Sequence, residues 1–386
     1  MKRKLLALVF TFAVTGAAAA QDGYVVGVSA ALTGPLAGTY APVVEGMRVY
    51  IDHVNANGGV NGKAVRLVIL DNQAQPSKAA SDAKRLLTQD KVMLLINASL
   101  SSTYAPMVAE SKRTGVPLYY AGAVCPNEVN PPQADPLQFC STGFGALFDS
   151  QMGMQFIKDN SKGAARIGFS AMAIPISRGQ IDYSEELAKK LGMTPVDKEA
   201  IPPPTPDYTP FATKLKDAKP DWVYSWAPWV TQIRTFESLR RLGWSGSYLT
   251  YAHIQAEQEL QRVKDPKFYV FGTNAFFEDN LPVHAEIRKI AGGAKLSYPV
   301  EQLTEGFISG FVLEAALKKT GWPATPKKIA AAMSNLKVDT RGLRGGPIEW
   351  TENNHFRTQQ YYRVYRWDAG KNAIVREKDW TAVDVK

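Results

Sequence analysis

The sequence predicts an α/β protein built on two parallel sheets, and three observations carry that expectation. Short runs of β-branched and aromatic residues alternate with segments whose apolar residues recur at helical spacing. The alternation runs to about residue 145, where a cysteine-bounded, proline-rich loop interrupts it, and then it restarts. The chain has 386 residues, 45% hydrophobic and 21% charged, which is the length of two or three domains and the composition of a globular protein.

The elements follow in order. "YVVGVSA" (24–30) reads as a buried strand. In 42–57 Val43, Met47, Tyr50, Ile51 and Val54 share one helical face, and "GGVNG" (58–62) ends that helix because glycine accepts the left-handed backbone. "AVRLVILD" (64–71) is the next strand and 76–89 the next helix, with Ser77 in its cap region. "VMLLINA" (92–98), a helix at 103–115 and "VPLYYAGA" (116–123) continue the pattern. Strand–helix–strand order means a parallel sheet covered on both faces. After the loop come a helix at 150–160, "ARIGFSAM" (165–172), a helix at 181–192 and a proline-rich link at 201–210. A short helix at 211–220, "DWVYSW" (221–226), a helix at 231–243, "SYLTYA" (247–252) and "FYVFGTNAF" (268–276) complete a second sheet of the same build. Helices at 305–321 and 325–336 precede a tail at 346–370 that alternates like a hairpin.

The first residues read as an export signal. Lys2, Arg3 and Lys4 form a basic start, 5–14 an apolar core too short to span a bilayer, and 17–20 the small residues before cleavage ahead of Gln21. A membrane anchor is the alternative, but no stop-transfer pattern follows. The mature chain is expected in the periplasm. Its formal charge falls from +9 by three, to +6, with no basic stripe of the kind nucleic acid requires. In an exported chain, Cys125 and Cys140 are expected to pair and pin a loop of four prolines with no apolar period.

Signs of catalysis are weak. His53, His253, His284 and His355 are scattered, and "GWSGS" (243–247) and "GFGALF" (143–148) fail as nucleophile and dinucleotide motifs. No zinc or calcium spacing is present. An enzyme is not expected, and no cofactor or metal is expected. Asp149 reads as a helix N-cap.

In parallel sheets, ligands bind beyond the carboxyl ends of the strands. Four such ends consist of small, hydroxyl or aromatic residues: "SAALTGP" (29–35), "NASLSSTY" (97–104), "AGAVCP" (121–126) and "SWAPWV" (225–230). In the last, Trp222, Val223 and Tyr224 suffice for a strand, so Trp226 and Trp229 are expected beyond it.

The run from Thr33-Gly34-Pro35 through Gly46 and "NANGGVNG" (55–62) to Asp71, Pro76 and Ala79 resembles the opening of the branched-chain amino-acid-type solute-binding proteins of ABC transporters. "SSTYAP", "GVPLYYAGA", "KPDWVYSWAP", "GPIEWTENNHF" and "YRVYRW" match later landmarks, so the resemblance spans nearly all of the mature chain. It implies a type I periplasmic binding protein: two Rossmann-like lobes with parallel sheets, joined by three crossing strands, with ligand in the cleft. The implied lobes are 21–145 with 276–346 and 146–275 with 347–386, after a signal peptide at 1–20. The implied partners are a small-molecule ligand and a membrane ABC permease, with the receptor a monomer.

The resemblance also implies a ligand site, with departures. The carboxylate-binding loop falls on Leu100, Ser101 and Ser102, with leucine where a serine is usual. The next loop falls on Gly122, Ala123 and Val124, with valine where a threonine is common. The family's acidic amine anchor falls in "TYAHIQ" (250–255), which has His253 and no acid. A buried ammonium there lacks its counter-charge. Tyr40, Trp226, Trp229 and His253 complete the expected site, with His253 a donor to a carboxylate. These residues point to an aromatic or otherwise apolar acid. An amino acid or amide is the alternative ligand, and ligand sensing for a signalling system the alternative role.

Overall fold

In the computed structural model, which describes residues 23–122 and 124–385, the two rhythms become two sheets. The first holds β1 (Gly23–Ala30), β2 (Ala64–Asp71), β3 (Leu94–Ala98), β4 (Leu118–Tyr120) and β5 (Gln138–Cys140), in the order β2-β1-β3-β4-β5 and parallel throughout. Helices α1 (Ala37–Ala56), α2 (Pro76–Thr88) and α3 (Tyr104–Thr114) make the crossovers. Then α4 (Ala146–Asp159), β6 (Arg166–Met172), α5 (Pro175–Lys190), β7 (Thr194–Ile201), α6 (Thr209–Asp217) and β8 (Trp222–Trp226) begin the second sheet. It continues with α7 (Trp229–Arg241), β9 (Ser247–Tyr251), α8 (Ala256–Val263) and β10 (Phe268–Gly272). After α9 (Pro282–Gly292), α10 (Thr304–Thr320) and α11 (Pro326–Met333), a two-stranded sheet forms from β11 (Lys337–Val338) and β12 (Ile348–Glu349). The hairpin of β13 (Gln359–Asp368) and β14 (Ala373–Asp384) then joins the second sheet antiparallel beside β10. The second sheet runs β14-β13-β10-β9-β8-β6-β7. In both parallel parts the first strand in sequence lies between the second and the third, which creates a switch point where adjacent crossovers leave in opposite directions.

Strand alternation explains the two-faced burial. Tyr24, Val26, Val28 and Ala30 enter the core on one face of β1 and Val25 the core on the other. In β8, Trp222, Tyr224 and Trp226 share one core and Val223 another. Trp226 is therefore the last residue of the strand rather than a residue beyond it, which corrects the expectation. Helix α10 packs on α1 where two glycines meet. A Cβ on Gly46 would sit 2.5 Å from the Leu303 carbonyl oxygen, and one on Gly306 would strike the Val43 carbonyl.

The chain passes between the sheets three times. Residues 141–145 leave β5, residues 273–276 follow β10, and the third passage precedes β13. Ile348 and Trp350 are buried in the first sheet's core, so this third passage falls after Trp350 and not near residue 346. The passages are tied together. Trp350 Nε1–H donates to the carbonyls of Cys140 (3.2 Å) and Phe356 (3.0 Å). Arg357 donates to the carbonyls of Ser141 and Thr142, and Gln360 Nε2 to that of Gly143 (2.6 Å). Burial pushes the Arg357 guanidinium down to about 9, with the nearby Arg344 charge adding to the effect.

Other expectations need correction or bounding. The export segment lies outside the described residues. Cys125 and Cys140 are bonded, with sulfurs 2.04 Å apart, but the loop between them also packs into a core of the first sheet, beside Met107, Leu118 and Tyr120. Val129 is fully buried, and Gln138–Cys140 form β5 on the sheet edge. The edge strand β7 escaped the sequence reading because its residues are largely half-exposed and polar. Pro76 opens α2, with Gln75 rather than Ser77 at the cap.

Candidate functional site

Carboxyl ends of strands from both sheets face one another across a cleft, as the switch-point rule requires. The cleft has two chambers that share Gly122, Phe144 and His253 as walls. One is apolar, with unfilled space of about 410 Å³, its mouth included. Leu100 and Ser101 after β3, Tyr40 from α1, and Gly122 and Val124 after β4 line it from the first sheet. Ile174, Ile176 and Ser177 after β6, and Trp226, Ala227 and Pro228 at the end of β8, line it from the second. No charged side chain lines this chamber among the described residues. Three hydroxyls in it, Tyr40 Oη, Ser101 Oγ and Ser177 Oγ, have no hydrogen-bond partner among those residues.

Two buried titratable groups shape the wall of this chamber. Asp149, in the first turn of α4, is fully buried. It accepts hydrogen bonds from Trp226 Nε1–H (2.9 Å), Tyr362 O–H (2.6 Å) and, more weakly, the Gly145 backbone N–H (3.4 Å). Burial outweighs these donors and pushes its carboxyl up to about 7. Gly145 holds the N-cap position, so Asp149 is not the N-cap residue; its side chain reaches back to the Gly145 N–H and fixes the Trp226 indole at the chamber wall. His253 Nε2 lies 2.9 Å from the Ala227 carbonyl, which can only accept, so Nε2 carries the proton. Burial lowers His253 to about 4 and keeps it neutral. Its Nδ1 is then an acceptor, and the ring does not donate to a ligand carboxylate as the sequence led us to expect.

The other chamber is acidic. Glu257, Glu301 and Glu305 line it together with Thr39, Thr304 and Asn274. Two of the three acids are already engaged. Glu305 is paired with buried Arg344 at 2.7 Å and accepts from Asn274 at 2.7 Å. The Glu257 oxygens accept the backbone N–H groups of Phe277 (2.8 Å) and Glu278 (2.9 Å), and burial pushes this carboxyl up to about 7.

Of the residues expected at the site, Tyr40, Leu100, Ser101, Gly122, Val124, Trp226 and His253 come together on the apolar chamber. Ala123 lies outside the described residues. Ser102 is exposed and lines neither chamber, because the turn of 3-10 helix over Ser101–Thr103 points successive side chains in different directions. Trp229 opens α7 and packs with Phe268 and behind His253; it borders an outer groove opposite Pro35, Gly38 and Thr39 instead of either chamber. The sequence reading missed Phe144, Ile174, Ile176 and Ser177. The strand end "SAMAIPIS" (170–177) carried the same signal as the four singled out, small and hydroxyl residues ahead of a proline that opens a helix.

Among the described residues no helix is long and apolar enough to cross a membrane, and no group of three or more His, Cys, Asp or Glu is disposed to hold a metal ion. A family model described as "Periplasmic binding protein" matches residues 23–372. A Leu/Ile/Val-binding protein of Rhizobium johnstonii is 22% identical over 96% of this chain and 99% of its own length. A branched-chain amino acid ABC transporter structure from Thermus thermophilus, with bound valine, superposes with a TM-score of 0.80 at 15% identity, covering 94% of this chain and 97% of that one. An ABC-transporter solute-binding protein from Rhodopseudomonas palustris, in complex with 3,4-dihydroxybenzoic acid, gives a TM-score of 0.78 at 18% identity, covering 94% and 98%. At these identities the structural likeness is one of fold.

Proposed function

The chain belongs to the periplasmic binding protein family, and on that premise we propose that it is the solute receptor of an ABC importer that binds a small aromatic or otherwise apolar organic acid. The observation that carries the reading is the uncharged chamber. Aromatic and aliphatic side chains wall it, and three lining residues from both sides of the cleft, Tyr40, Ser101 and Ser177, carry hydroxyls with no partner among the described residues. Neutral donors suit a carboxylate that keeps its charge while its apolar body is removed from water. A ligand touching both sides favours the closed arrangement by its differential affinity, and that closed form is what a membrane permease recognises. The Rhodopseudomonas palustris protein of the same fold holds 3,4-dihydroxybenzoic acid, which supports the class.

A second reading is an amino acid. The acidic chamber favours it, since an ammonium group beside Glu257 and Glu301 would find counter-charge. The Thermus thermophilus structure with valine belongs to the same fold. We rank it second because Glu257 and Glu305 already hold donors of their own. Isothermal titration of the exported protein with benzoate, 4-hydroxybenzoate and leucine separates the two. Tighter binding of leucine than of both acids would overturn the first reading.

A further inference from the structure

We infer that the start of α5 is a second anchoring point for the ligand, one that receives an oxygen acceptor from the side of the second sheet. This rests on the reading of the uncharged chamber as the ligand site and adds the ligand's second polar end. Helix α5 runs for 16 residues with Pro175 at its first position. The N–H groups of Ile176 and Ser177 lie in its first turn, where a helix has no carbonyl of its own to offer and its dipole favours negative charge. Ile174, Ile176 and Ser177 all line the chamber, so this end of the helix faces it.

Ser177 Oγ is the independent observation. It is fully buried and has no hydrogen-bond partner among the described residues. Within helices, Ser81 gives its hydroxyl to the Ser77 carbonyl and Ser184 to that of Gln180, one turn back. Ser177 lies in the first turn of α5, where the helix has no carbonyl four residues back, and a buried hydroxyl left unpaired is costly unless something supplies its partner. No acidic side chain lines this chamber to repel an oxygen acceptor; the acids stand in the other chamber. Across the cleft, Tyr40 and Ser101 present their own free hydroxyls. Both ends of the chamber therefore offer donors, and apolar walls such as Leu100, Phe144 and Trp226 lie between. The matching ligand is an apolar, ring-like body with an oxygen acceptor at each end: a carboxylate on the first side, and a second carboxylate or a hydroxyl on the second.

The test compares 4-methylbenzoate, 4-hydroxybenzoate and terephthalate by titration calorimetry on the whole exported protein and on Ser177→Ala. The wild type should bind at least one of the two-ended acids about ten-fold more tightly than 4-methylbenzoate. Ser177→Ala should abolish that preference and leave 4-methylbenzoate within about three-fold. A preference for terephthalate would identify the second group as an anion, and one for 4-hydroxybenzoate as a hydroxyl. The unfolding midpoint of ligand-free Ser177→Ala should be equal to or above that of the wild type, because the substitution removes a buried hydroxyl without a partner. A preference unchanged by Ser177→Ala, an equal loss for all three acids, or a lowered midpoint would overturn the inference and leave the acid reading standing. Failure of the wild type to bind any of the three acids or benzoate would overturn both.

Discussion

The buried carboxyl of Asp149 makes the stability of this protein depend on pH in a direction opposite to that of most paired carboxylates. Its ordinary value of 3.8 rises to about 7 in the folded chain, chiefly through burial. Between those two values the folded state keeps a proton that the unfolded state releases. The stabilisation tied to that proton is full below about pH 4 and is lost as pH rises through about 7. Three pH units at about 1.4 kcal/mol each set a ceiling of about 4 kcal/mol on the loss. Asp149→Asn removes the titration. Its amide oxygen still accepts the Trp226 N–H, and its NH₂ can donate to the Tyr362 oxygen, losing only the long bond from the Gly145 N–H. The variant should therefore lie within about 1 kcal/mol of the wild type near pH 4.5 and gain on it as pH rises to 8. Urea unfolding at pH 4.5, 6 and 8, followed by circular dichroism, reads this directly, and the difference curve isolates Asp149 from Glu257, whose burial acts the same way. Asp149→Leu should instead lose about 2–6 kcal/mol at every pH, because it strands the two close side-chain donors, Trp226 and Tyr362, besides the Gly145 N–H. Parallel curves for wild type and Asp149→Asn between pH 4.5 and 8 would refute the reasoning.

Three further outcomes are expected. Ser101→Ala should weaken an aromatic acid by about 1.5–3 kcal/mol while Ser102→Ala leaves affinity unchanged, since only Ser101 lines the chamber; titration with benzoate checks the pair, and equal effects would show that the loop register differs in the bound form. Replacing Cys125 and Cys140 together by alanine should cost about 3 kcal/mol, the loop-entropy value for their separation of 15 residues; a loss under about 1 kcal/mol in urea unfolding would mean that the packing of Val129 in the first sheet's core holds the loop. Gly143→Ala should destabilise by at least about 1–3 kcal/mol, because the new Cβ strikes Thr273 Oγ1 and lies 2.6 Å from Tyr251 Oη where two inter-sheet passages cross; an unchanged melting midpoint would exclude that packing.

Much of the architecture was legible in the residues themselves. A strand of a parallel sheet is buried on both faces, so "YVVGVSA" and "VMLLINA" read as continuous apolar runs whatever surrounds them. The expectation of export, with the spacing, sufficed to pair Cys125 with Cys140, and strand ends rich in small and hydroxyl residues marked the side of the sheets where a ligand would lie. The missed strands β5, β7 and β14 are all sheet edges: each takes its stability from the neighbour it pairs with, and a half-exposed strand such as "TPVDKEAI" has no apolar run to announce it; the hairpin expected within 346–370 lies instead at 359–384, and the two-residue β11 is too short to read.

What the tertiary structure alone decided are meetings between residues far apart in the chain. The sequence by itself placed Trp226 near the cleft, but the direction of its indole comes from Asp149, 77 residues away, and the charge state of Asp149 from the burial that brings Tyr362 to it. His253 was visible as a polar group at a strand end; that its Nε2–H is spent on the Ala227 carbonyl, leaving Nδ1 as an acceptor, follows from that contact. Trp229 had the same composition signal as Trp226 and faces elsewhere, because the chain turns into a helix between them. Local periodicity reports which residues must leave water. It carries no record of which buried polar groups find one another, and that pairing is what gives this cleft one acidic chamber and one without charge.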